Sequence, residues 1–188
     1  MSVIGRAIIE KRLGMAPSDL KALVITPLKH DEERQPCIDR DSVDLRLGCR
    51  FLIPRVHQFS GSGTAPRNKH EAAQTVHIPH GQKIQIPAHG TILGTTLEYL
   101  KLPYDFSGEV LTRSSLARKF ITIETAPWIH PLYRGCLTLE IANASNIPIP
   151  IGPGDTIAQL VLLRVVGAVR PQTDEMESVY LGPIFPEA

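Results

Sequence analysis

Apolar residues in this chain fall in short runs broken by proline, glycine and polar turns, a rhythm of strands and not of helices. Only residues 3–13 carry helical spacing: Ile4, Ala7, Ile8 and the aliphatic stem of Lys11 recur at three- and four-residue intervals, and Gly14 supplies a stop. Beyond that point the pattern predicts strands at 43–47, 83–86, 91–95, 108–111, 137–143, 147–151 and 157–166. Between them stand turn sequences such as Pro79-His-Gly81, Ala88-His-Gly90 and Pro153-Gly-Asp155. The stretch 60–69, rich in Gly and Ser, reads as a flexible loop, and 172–188 as a C-terminal tail. The expectation is one mostly-β domain over residues 1–188, a distorted β-barrel or double sheet with a short N-terminal helix.

Composition narrows the partners. A length of 188 residues is enough for one domain with a sizeable core. A formal net charge of +1 argues against a dedicated nucleic-acid binder, which carries a strongly basic face. No apolar run approaches the roughly 20 residues that span a bilayer, so no membrane association is expected. Cys37, Cys49 and Cys136 are odd in number and scattered, as in a reduced, cytoplasmic protein, and the N-terminus has no signal-peptide pattern. Without a secretion signal, the sequon Asn143-Ala-Ser145 reads as chance.

Two segments carry candidate chemistry. Arg113-Ser-Ser-Leu-Ala-Arg118 packs two guanidinium forks and two hydroxyls into six residues, donors suited to phosphate oxygens. The alternative is a surface turn whose arginines pair with nearby acids. In 137–143, Leu137, Leu139 and Ile141 share the apolar face, so Thr138, Glu140 and Ala142 share the other. Glu140 can therefore line a polar cleft as a general acid/base; taken alone, that strand better suits an ordinary solvent-facing glutamate. In 42–48, Asp44 and Arg46 lie on one strand face and are expected to pair with each other or with a neighbouring subunit. Neither the His-x-Glu…Pro-Cys-x-x-Cys pattern of zinc deaminases nor another zinc spacing is present, so no tightly held catalytic zinc is expected. Phosphate-binding Gly-rich and nucleophile-elbow motifs are absent too.

In order along the chain, several segments resemble the metal-independent dCTP deaminase branch of the dUTPase-like superfamily. They are Ser42-Val-Asp-Leu-Arg-Leu-Gly48, Gly94-Thr-Thr-Leu-Glu98, Arg113-Ser-Ser-Leu-Ala-Arg118, Thr125-Ala126, Pro131-x-Tyr-x-Gly135, Leu137-Thr-Leu-Glu-Ile-Ala-Asn143, Pro153-Gly154, Ile157-Ala-Gln-Leu160 and a late Tyr180. The resemblance implies a β-rich homotrimer with active sites between subunits, and a deoxynucleoside triphosphate (dCTP or dUTP) bound with Mg²⁺ on its phosphates. It implies Glu140 as general acid/base, with Ser114 and Arg118 positioning the attacking water and stabilising charge. Arg113, Ser115, Gln159 and Tyr180 would contact the nucleotide, and Thr125-Ala126 would lie against the base. The neighbouring Leu116, Ala117, His130, Thr138 and Leu139 complete the implied nucleotide-binding set.

The chain departs from the family pattern in places. Thr112 stands where the family usually has Gly, and His130 where an Asp usually meets the sugar or the reactive water. The histidine often found between Arg118 and the Pro131 turn is missing, Glu124 being the nearest polar substitute, and the residues after Tyr180 lack Lys and Gln. A weaker hold on the γ-phosphate is one expectation. The resulting order of functions is dCTP deamination, then a dUTPase or bifunctional enzyme releasing pyrophosphate, then a non-catalytic nucleotide-binding trimer.

Overall fold

The computed structural model describes residues 2–33, 36–54, 73–124 and 127–171; the stretch 60–69, the tail 172–188 and Thr125, Ala126 and Tyr180 lie outside them. In chain order the described elements are α1 (Arg6–Leu13), β1 (Val24–Thr26), β2 (Ser42–Pro54), β3 (Ala73–His77), β4 (Ile84–Ile86), β5 (Thr91–Lys101), β6 (Phe106–Thr112), α2 (Ser114–Ala117), β7 (Ile121–Glu124), β8 (Trp128–Ile129), β9 (Arg134–Asn143), β10 (Ile149–Ile151) and β11 (Thr156–Arg164). All seven expected strands are present. The strands not anticipated, β1, β3, β7 and β8, are two to five residues long, too short for a period-two pattern to stand out.

Nine strands form one antiparallel sheet in the order β7-β9-β5-β2-β11-β6-β8, with β1 added to β5 and β3 to β2; β4 and β10 pair separately. The sheet curls until its two ends meet. Although β6 and β7 are far apart in strand order, the Ile123 amide donates to Thr112 Oγ1 at 2.7 Å and ties one end to the other. The mostly-β, curled-barrel expectation therefore holds.

Alternation builds the core. In β2, Val43, Leu45 and Leu47 are fully buried while Asp44 and Arg46 turn outward between them. The strand then shifts register against β5 beside Gly48, where an added Cβ would come within 3.0 Å of Thr95 Oγ1. Phe51, Phe106, Leu100, Leu102, Leu160 and Leu162 fill the interior. At roughly 1.5–3 kcal/mol per buried large side chain, this interior dominates the stability of the fold.

The helix sits about one residue's rotation from its expected face. Ile9 and Arg12 are buried, whereas Ala7, Ile8 and Lys11 are exposed. Arg12 causes this: its Nη2 meets Asp105 Oδ2 at 2.5 Å, its Nη1 donates to the Lys21 carbonyl, and its guanidinium lies 4.6 Å from the Phe106 ring centre. A paired arginine lying over an aromatic ring outcompetes an isoleucine for the inward position. Among the described residues no helix is long and apolar enough to cross a membrane.

Candidate active site

The β9 strand has the face assignment its sequence implies. Leu137, Leu139 and Ile141 are buried; Thr138, Glu140 and Ala142 are half-exposed on the opposite side. Glu140 lines a small cleft with Val110, Ile123, Pro127 and residues 137–139. Pairing with β7 ends at Glu124 opposite Glu140, so among the described residues 137–139 have no strand partner on that side. On the other side, facing β5, the Leu137 amide donates to Thr96 Oγ1 at 2.9 Å. A carboxylate thus sits at the point where the described pairing of this strand edge ends. Since the Leu139 side chain is in the core, any contact it makes with a ligand runs through its backbone. Glu140 itself has no side-chain hydrogen bond or ion pair among the described residues. The cleft has room for about 40 Å³ of solvent-sized groups, well below the ~300–1,000 Å³ of ordinary small-molecule sites.

The 113–118 turn contains one turn of helix, which the sequence did not announce. Arg118 N–H donates to the Ser114 carbonyl at 3.1 Å, so these two residues lie one above the other on a helix face. Ser114, Ser115, Ala117 and Arg118 are exposed, and Leu116 packs toward the core as the anchor. Arg113, at the N-cap, behaves differently. Its Nη1 donates to Asp44 Oδ2 at 2.7 Å, with both side chains largely shielded. Asp44 lies directly across from Gln159 on β11, so Arg113, Asp44 and Gln159 form one polar patch on the outer face. Phe120 follows the turn with φ of 62° and is 61 % exposed, a left-handed conformation that costs a bulky side chain energy. No described residue of 113–118 lines the Glu140 cleft.

Asp44 and Arg46 do not pair with each other. Side chains two apart on a strand face stand some 6–7 Å from one another, and neighbouring elements offer closer partners. Asp44 takes Arg113, while Arg46 Nε donates to Glu98 Oε1 at 2.7 Å. Glu98 is fully buried; its second oxygen accepts the Arg46 amide at 2.8 Å, and Arg46 Nη2 reaches the Pro27 carbonyl. Burial pushes the Glu98 carboxyl above its usual range, against the pull of Arg46. The Cys136 thiol is also raised, first by burial and then by the charge of Glu98.

Comparison with known proteins decides the family. The family model described as dCTP deaminase-like matches residues 13–165. The chain belongs to the dCTP deaminase-like family. It is 34 % identical over 190 residues to the dCTP deaminase of Natronomonas pharaonis, covering 99 % of this chain and 93 % of that protein. Identity to the dCTP deaminase of Halorubrum lacusprofundi is 35 % over 175 residues, 88 % of this chain and 82 % of that one. To the dUMP-forming dCTP deaminase of Mycobacterium leprae it is 35 % over 129 residues, 68 % and 67 % respectively. The crystal structure of the Agrobacterium tumefaciens 2′-deoxycytidine 5′-triphosphate deaminase superposes with a TM-score of 0.60 at 23 % identity, which shows a shared fold. That alignment covers 85 % of this chain and 47 % of the Agrobacterium chain.

Within this dCTP deaminase-like chain, the candidate residues divide into two groups. Thr138, Leu139 and Glu140 meet at the cleft; Arg113 and Gln159 meet at the outer patch, with Ser114, Ser115, Leu116, Ala117 and Arg118 on the adjoining helical turn. His130 is exposed at the start of the turn closed by Tyr133 N–H donating to its carbonyl. Thr125, Ala126 and Tyr180 fall outside the described residues. Sequence reasoning missed the tie from Thr112 to Ile123 and the part of Asp44 and Lys29 in holding Arg113. Thr112 carried a signal, being the polar residue where the family usually has glycine. Lys29 carried none, because its partners lie 15 and 127 positions away.

Proposed function

We propose that this chain hydrolyses the exocyclic amine of dCTP, releasing ammonia, with Glu140 as general acid/base. The observation that carries the proposal is Glu140 itself: a half-exposed carboxylate lining a cleft, without a side-chain partner among the described residues, in a dCTP deaminase-like chain. Ionised Glu140 takes a proton from the water that attacks C4 of cytosine. It then returns protons to the amino group as the C4–N bond breaks, so one water is consumed and one ammonia leaves. Ser114 and Arg118 position that water and stabilise the charge developing on the ring. In this reading Thr138, Leu139, Thr125 and Ala126 contact the base. Arg113, Ser115, Gln159 and Tyr180 hold the sugar and phosphates, and Mg²⁺ arrives on those phosphates as part of the substrate.

The protein acts as a cytoplasmic homotrimer in this reading, each Glu140 cleft being completed by the helical turn of a neighbouring copy. Two features support that arrangement. The cleft of one chain is too small for a nucleotide and includes none of 113–118. Leu111 and Trp128, 43 % and 40 % exposed, project from β6 and β8 on the outside of the sheet.

A second reading, in which dUTP is hydrolysed further to dUMP and pyrophosphate, is favoured by relatives named dUMP-forming, such as those of Mycobacterium leprae and Methanobrevibacter smithii. One assay separates the two: incubate the protein with dCTP, and separately with dUTP, in Mg²⁺ and quantify ammonia, dUTP, dUMP and pyrophosphate. Ammonia with accumulating dUTP is the expected outcome, and pyrophosphate identifies the bifunctional enzyme. Nucleotide binding with neither product overturns both readings in favour of a non-catalytic binder.

A further inference from the structure

Arg113 is not the only cation on Asp44. The Nζ of Lys29 lies 3.4 Å from the same Oδ2 that accepts Arg113 and donates to Thr156 Oγ1 at 2.8 Å. The segments after β1 and after β6 thus meet at this one oxygen of β2, and the start of β11 holds Lys29 through Thr156. A single carboxylate offsets only one of the two cations, so the patch keeps a surplus positive charge. It is neither dry nor fully solvated, for the side chains of Lys29, Arg113 and Asp44 are 28 %, 30 % and 14 % exposed. In such partial burial two cations beside one another repel more strongly than in bulk water, and a second anion relieves them. An ammonium has three donors; two of those on Lys29 face Asp44 and Thr156, which leaves the third for that anion.

We propose that Lys29 is a second polyphosphate-binding cation, seated beside Arg113 by Asp44, and that it makes the site prefer a triphosphate to a monophosphate. The inference rests on the nucleotide-binding reading of Arg113 and Gln159. Lys29 comes from a region where neither the motif order nor the family resemblance placed a ligand-binding residue, and it reaches the patch through tertiary contacts alone.

Calorimetric titration of wild type, K29Q and K29R with dCTP, dCMP and inorganic tripolyphosphate, all with Mg²⁺, tests it. For K29Q the affinity for dCTP and for tripolyphosphate is expected to fall about tenfold, the scale of one charge-assisted contact. Binding of dCMP should stay within about twofold, and K29R should recover most of the loss. T156V, which removes the Lys29 hydroxyl acceptor and leaves the charge in place, should show a smaller loss in the same direction. Unchanged dCTP affinity in K29Q, or an equal loss for dCTP and dCMP, overturns the proposal. If wild type binds tripolyphosphate in a Lys29-dependent way and binds neither nucleotide, the anion seat stands and the nucleotide reading falls.

Discussion

Two glutamates on neighbouring strands have opposite fates. Glu98 on β5 is buried, with both carboxylate oxygens committed to Arg46. Glu140 on β9 is half-exposed, lines a cleft and has no side-chain partner among the described residues. A buried charge that is fully paired holds the fold together, and removing its partner is what destabilises it. A carboxylate lining a cleft, with no side-chain partner among the described residues, is available to exchange protons with a ligand. The amino acid is the same, and the surroundings set its role.

Substitution should therefore separate activity from stability. Glu140→Gln is expected to lower deamination on the order of 10²–10⁴-fold, the usual contribution of a general acid/base. Its nucleotide affinity and melting temperature should stay near wild type. Full turnover in that variant would remove Glu140 from the mechanism. Glu98→Ala should do the reverse, costing about 3 kcal/mol in chemical denaturation by stranding the Arg46 guanidinium. The pH dependence carries a definite sign. Because burial raises the Glu98 pKa above 4.5, its favourable contribution is complete below that value and is lost as pH rises through the folded-state pKa. The stability gap between wild type and Glu98→Ala should narrow over that rise, and a widening gap would mean that Arg46 outweighs burial.

Smaller effects test how the cleft is held. Thr112→Val leaves the partly buried amide of Ile123 without its acceptor and should cost about 1–2 kcal/mol. It should also impair catalysis, since Ile123 lines the cleft beside Glu140; full activity with lowered stability would restrict Thr112 to closing the barrel. Phe120→Gly removes the left-handed strain from a ring that is mostly exposed and should raise stability by about 0.5–1 kcal/mol. A loss instead would indicate that the ring is covered in the assembled protein.

The chemistry of this chain was legible where it depends on alternation within one strand. The side of β9 that Glu140 occupies follows from Leu137, Leu139 and Ile141 alone, and the long strands announced themselves by the same rule. Where partners come from distant segments, the sequence was silent. Arg12 took the inward position expected of Ile8 because Asp105 and Phe106, more than ninety positions on, reward it. Asp44 found Arg113 and Lys29 instead of Arg46 for the same reason. The helical turn at Ser114–Ala117 escaped notice because four residues are too few to show a 3.6-residue period.

The β2 strand carries the partner of Glu98 and binds three other strands in succession. It pairs with β11 along 42–46, with β5 from Leu47 to Leu52 and with β3 along 50–54. Asp44 at one end seats Arg113, Arg46 grips Glu98, and Phe51 fills the core further along. Local opening at the anion patch would have to tear hydrogen bonds from a strand that the interior also owns. Amide protons of Leu45 and Leu47 should then exchange only when the whole domain unfolds, so the patch is as rigid as the core behind it.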